Sequence, residues 1–152
     1  MSKKLRFRLR TVKQISNIYD CIDYERLFLV YMSDEGEHYI DREIEAIPVL
    51  KYKIHKEYSI ESMDDYLSEC FNKCIAMGYD GLFVFRNHPN MISYLSEEER
   101  MSMCKLEDFL ATKQSEFIFG SAVFSSNRIT YRINRKVEGW KRRKRFGTLA
   151  LS

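Results

Sequence analysis

Only two prolines and six glycines punctuate the 152 residues, and no uncharged apolar run approaches the roughly 18 residues that a membrane-spanning helix needs. The first scarcity excludes a low-complexity or disordered chain. The second excludes a spanning helix, and because MSKKLRFRLR alternates charge with apolar side chains instead of opening a signal-peptide core, a cytoplasmic protein is expected. Cysteine is scarce too: Cys21, Cys70, Cys74 and Cys104 stand singly or at helical spacing with no CxxC pair. Neither a disulfide framework nor a zinc ribbon is indicated, which leaves reduced, packed thiols. What the chain does have is ten Phe, ten Tyr and 45% hydrophobic residues, enough for one compact domain rich in sheet.

The formal charge of +3 is unevenly placed. From Arg135 onward there are seven basic residues and one acid, leaving 18 basic and 21 acidic residues in the remainder. A mildly acidic body, residues 1–134, therefore precedes a basic C-terminal tail, residues 135–152. Lys141, Arg142, Arg143, Lys144 and Arg145 form an unbroken run bracketed by Trp140 and Phe146. Phosphate pairing with stacking would suit nucleic acid; a solvated, flexible terminus is the simpler expectation.

Hydrophobic periodicity divides the body. Leu5, Phe7 and Leu9 alternate with bases, predicting a half-buried strand over 4–10, and Val12, Ile15, Ile18, Tyr19 and Ile22 then switch to helical spacing. RLFLVYM, 26–32, reads as a strand buried on both faces, and Ser33 to Glu37 as the turn after it. Strands are expected from His38 and again over Leu50 to Ile54, separated near Pro48. Met63, Tyr66, Leu67, Cys70, Phe71, Cys74 and Ile75 predict a helix over 62–77, capped by Ser62 and ended by Gly78. GLFVF, 81–85, is another buried strand; a helix over 96–112 and strands in EFIFGSAVF and RITYRIN, joined at SSN, complete a mixed α/β order.

The strand GLFVF runs into Arg86-Asn87-His88-Pro89, with Ser96 eight residues after His88, Glu99 eleven after it, and Glu25 immediately before RLFLVYM. This pattern resembles the JAB/MPN metallo-isopeptidase family, in the branch that includes RadC-like proteins, whose motif is His-x-His-Pro leaving a strand and Ser-x-x-Asp opening a helix. The resemblance covers roughly residues 5 to 134. It implies a single α/β domain, cytidine-deaminase-like, with a curved mixed sheet flanked by helices. It also implies a zinc ion held by two imidazoles and a carboxylate, activating a water that cleaves an isopeptide at the C-terminus of a ubiquitin-like protein. Residue by residue, Glu25 matches the general base, Ser96 the oxyanion-stabilising serine, His88 the second histidine ligand and Glu99 the acidic ligand. Taken alone, Ser96 and Glu99 also fit a capping box, and His88-Pro89 a turn.

Two positions depart from that motif. Glu99 keeps a carboxylate where the family has Asp, one methylene longer. Arg86 replaces the first histidine, and a guanidinium has no lone pair to give a metal and brings a fixed positive charge. If Glu25, His88 and Glu99 converge, Arg86 would bridge the carboxylates in the metal's place. His38 or His55 would restore a ligand only if the fold brought one beside His88. The expected function is a non-catalytic relative that binds a ubiquitin-like protein or its conjugating machinery. The alternatives are an active zinc isopeptidase using Glu25, His88, Ser96 and Glu99, and a nucleic-acid-associated protein using Lys141 to Arg145.

Overall fold

A computed structural model describes residues 3–20, 27–46, 60–87, 108, 117–124, 128–134, 136–142 and 147–151. Among them are eight strands and two helices in the order β1 (Lys4–Arg6), α1 (Leu9–Asp20), β2 (Leu27–Asp34), β3 (His38–Ala46), α2 (Ile60–Ala76), β4 (Gly81–Asn87), β5 (Ile118–Phe124), β6 (Arg128–Ile133), β7 (Val137–Arg142) and β8 (Thr148–Ala150). The chain is a mixed α/β protein. One sheet holds all eight strands in the order β7-β6-β5-β4-β2-β3-β1-β8, parallel at β1–β3 and β4–β5 and antiparallel elsewhere.

The two faces carry different cores because strand side chains alternate. One face packs Phe28, Val30, Met32, Phe83, Phe85, Ile129 and Leu149 with Ile15 of α1, drawing on strands from β8 to β6. The other packs Leu29, Tyr31, Leu82, Val84 and Phe119 against Cys70, Phe71 and Cys74 of α2. Leu29 to Met32 are each fully buried, as their unbroken apolar run predicts for a central strand. The sheet curls about the first face: the Lys141 ammonium of edge strand β7 donates to the Thr148 carbonyl of edge strand β8. Glycine is required opposite Phe83, since a β-carbon on Gly120 would lie 2.3 Å from the Phe83 ring.

Several boundaries differ from the sequence reading, for local reasons. The first strand stops at Arg6 instead of residue 10, because Asp41 of β3 accepts the Arg8 amide at 2.7 Å and the Arg8 carbonyl then takes the first helical bonds, from Thr11 and Val12. Leu9, expected inward beside Leu5 and Phe7, consequently opens a helix and is 67% exposed. Ser33 and Asp34 extend β2, and the turn tightens at Gly36, whose φ of 93° suits glycine and whose amide bonds to Asp34. Helix α2 begins two residues before Ser62, so that serine lies in its first turn and is not its cap. Ile75 is 45% exposed and not inward, while Gly78 has the left-handed φ expected after the helix. Pro48, the strand expected over residues 50–54, the SSN turn and, apart from the helical and exposed Asp108, the helix over 96–112 lie outside the described residues.

The basic tail is the largest correction. Residues 137–142 and 148–150 are not a solvated terminus but strands β7 and β8, one at each edge of the sheet that holds the body. The boundary at residue 134 falls in a hairpin turn, where Asn134 takes a φ of 48° and exchanges two hydrogen bonds with the Phe119 backbone.

Candidate functional site

Strand β4 carries the motif into the fold. Phe83 and Phe85 face the inner core, so Leu82, Val84 and Arg86 share the outer face, beneath α2. Arg86 is buried at 8% exposure, opposite Leu27 of β2 and Val123 of β5. Leu27 is the first residue of β2 and Asn87 the last of β4. Glu25 and His88 therefore each stand two residues along the chain from a member of the Leu27–Arg86 pair. Glu25, His88, Ser96 and Glu99 themselves lie outside the described residues.

His38 does not reach this end. The pairing of β3 with β2 and of β2 with β4 puts His38 about eight residues, or about 26 Å, farther along the strands than Arg86. The expectation that it could complete a ligand set is corrected by that register; His55 is outside the described residues.

On the same outer face, with its carboxylates two strands from Arg86, lies a polar network that the sequence reading missed. Leu29 and Tyr31 stand opposite Glu45 and Glu43, which brings both carboxylates to the α2 side. Lys73 of α2 reaches Glu43 at 3.1 Å and Glu45 at 3.3 Å; the Tyr31 hydroxyl donates to Glu45 at 2.8 Å and the Tyr79 hydroxyl to Glu43 at 3.1 Å. The two phenol rings stack at 5.4 Å, with the Lys73 ammonium 4.9 Å from the Tyr31 ring centre. Hydrogen bonding to Glu43, with Glu45, keeps the Lys73 ammonium charged above its ordinary range. Burial, helped by the carboxylate each bonds, pushes both phenols upward as well. All three shifts lead away from neutrality, and the contacts tie α2 to β3. Its sequence signal was faint: Glu43 and Glu45 alternate with Ile44, but Lys73 lies 28 residues beyond Glu45.

Cys70 and Cys74 belong to the core under α2, and Cys74 Sγ sits 3.4 Å from the Gly81 carbonyl. Burial pushes the Cys74 thiol up to about 12, against thiolate chemistry or metal ligation. Among the described residues, no three of His, Cys, Asp and Glu gather as a metal group.

Arg86 decides how far the zinc chemistry can be carried over. Arg86, where the sequence resemblance expects the first histidine, is a buried guanidinium, which has no electron pair to donate to a metal. The residues present therefore do not fit the three-ligand zinc centre that the motif implies. No family model matches the chain, and no curated protein sequence does either. No helix among the described residues is long and apolar enough to cross a membrane.

The basic run divides at the edge of the sheet. Lys141 is turned inward and spends its ammonium on Thr148, whereas Trp140 and Arg142 share the outward side of β7 and are exposed. Arg143, Lys144 and Arg145 lie outside the described residues.

Proposed function

We propose that this protein is a zinc-independent relative of the JAB/MPN isopeptidases that serves as a binding or assembly module for a ubiquitin-like protein. The observation that carries the reading is Arg86, a buried cation on the strand leading into His88-Pro89, at the place where that family presents its first histidine. The pairing of Leu27 with Arg86 supports it further, because chain connectivity holds Glu25 and His88 within two residues of one paired couple. A guanidinium between carboxylates takes over a metal's electrostatic task without its Lewis acidity, so it preserves a site's shape and abolishes its hydrolysis. The curled mixed sheet with helices on opposite faces is compatible with the architecture that the resemblance implies.

The test is an isopeptide-linked conjugate of a ubiquitin-like protein, incubated with the purified protein and added zinc. Cleavage is expected to be no faster than in buffer. The unfolding temperature is expected to move by less than about 1 °C on addition of a chelator, since a metal bound only to the native state would have raised it. Cleavage that a chelator abolishes would overturn the reading.

A further inference from the structure

The basic run acquires a partner surface that its sequence does not reveal. Strand β8 pairs with β1, setting Arg6 opposite Thr148 and Lys4 opposite Ala150, while β1 pairs with β3, setting Lys4 opposite His38. Leu5, Tyr39 and Leu149 fill the inner core, so Lys4, Arg6 and His38 project from the outer face. There they line an open cavity of about 740 Å³ together with Lys3, Thr148 and one acid, Glu37. Lys3 is engaged by Asp34 at 2.7 Å, but Lys4 and Arg6 have no acidic partner among the described residues.

Across the seam, joined to β8 by the Lys141–Thr148 bond, is the outward side of β7. Trp140 is 56% exposed, and the Arg128 guanidinium lies 4.1 Å from the centre of its ring. Arg142 stands directly opposite Arg128 in the register, two residues from Trp140 on the same side of β7. Glu138 is the nearby acid, and it pairs with Arg132 at 3.4 Å.

We propose that the β7–β8 seam binds single-stranded nucleic acid, with phosphates following Arg142 to Arg6 and Lys4 and a base stacking on Trp140. Charge alone would suit any polyanion. The exposed indole beside guanidinium groups favours an unpaired strand, because every base has a face to stack and a duplex hides it. The edges of the sheet make the site: the seam draws β7 and β8 together, so bases from both ends of the chain line one track.

The experiment is fluorescence anisotropy of a labelled 20-nucleotide oligothymidylate against the full-length protein, between 50 and 300 mM salt. Binding is expected to weaken with salt, and the Lys4→Ala, Arg6→Ala, Arg142→Ala triple variant to lower the log–log slope by about 2, at about 0.7 for each lost phosphate contact. Trp140→Ala is expected to weaken binding about tenfold with the slope unchanged, as loss of one stacked base does. These side chains are exposed or cavity-lining, and unchanged unfolding temperatures would show that the variants fold. No binding at 50 mM salt, binding indifferent to all four substitutions, or preference for phosphatidylserine vesicles over the oligonucleotide would each overturn the proposal.

Discussion

Phe83→Ala is expected to lower stability by about 4 kcal/mol, read as a fall in the urea midpoint. Phe83 is fully buried at the centre of the inner core, 4.8 Å from the Phe85 ring and edge-on to Phe7 at 5.5 Å. Its ring occupies the space that Gly120 leaves by having no side chain, so truncation opens a cavity walled by two strands that cannot collapse without breaking their register. The same contact predicts a coupling. Gly120→Ala alone should destabilise, because its new methyl meets the ring, whereas adding it to Phe83→Ala should cost far less than the sum of the two. Additive losses would show that the ring does not lie over Gly120.

Asp41→Ala is expected to cost about 3 kcal/mol and to lower the unfolding temperature by about 6–12 °C for a domain of this size. Asp41 is 1% exposed and accepts three hydrogen bonds: from the Arg8 amide at 2.7 Å, from Arg8 Nε at 3.1 Å and from the Thr11 hydroxyl. Helix α1 has no acid in its own first turn, so this carboxylate from β3 supplies both its cap and the negative charge that its amino end favours. Asp41→Asn keeps an acceptor and should lose less. An unchanged midpoint for Asp41→Ala would mean that the helix does not depend on this cap.

That cap also explains where sequence reasoning stopped. The alternation in KLRFRLR correctly placed Leu5 and Phe7 inside and the bases outside, yet nothing near Arg8 shows the helix beginning there, because the cap comes from 33 residues away. The central strands were legible, since Leu29 to Met32 and Leu82 to Phe85 must be apolar to be buried on both faces. Strand β7 was hidden for a steric reason. Its inward position 139 is glycine because a β-carbon there would lie 2.8 Å from the Tyr131 hydroxyl, so the apolar alternation is missing and the charge run dominates. Of the candidate site, Arg86 was singled out in the sequence by its place after GLFVF. Its burial, the network around Lys73 and the cationic cavity beside β8 depend on pairings between distant strands, which local periodicity does not carry.

The most direct measurement is the zinc content of purified protein, with and without Arg86→His, by elemental mass spectrometry. The native chain is expected to hold less than about 0.1 zinc per molecule, and the histidine variant to approach one, because a single missing donor separates the two ligand sets. One zinc per native chain, lost on His88→Ala, would contradict the account, since Arg86 would then stand beside a metal site and not in place of one.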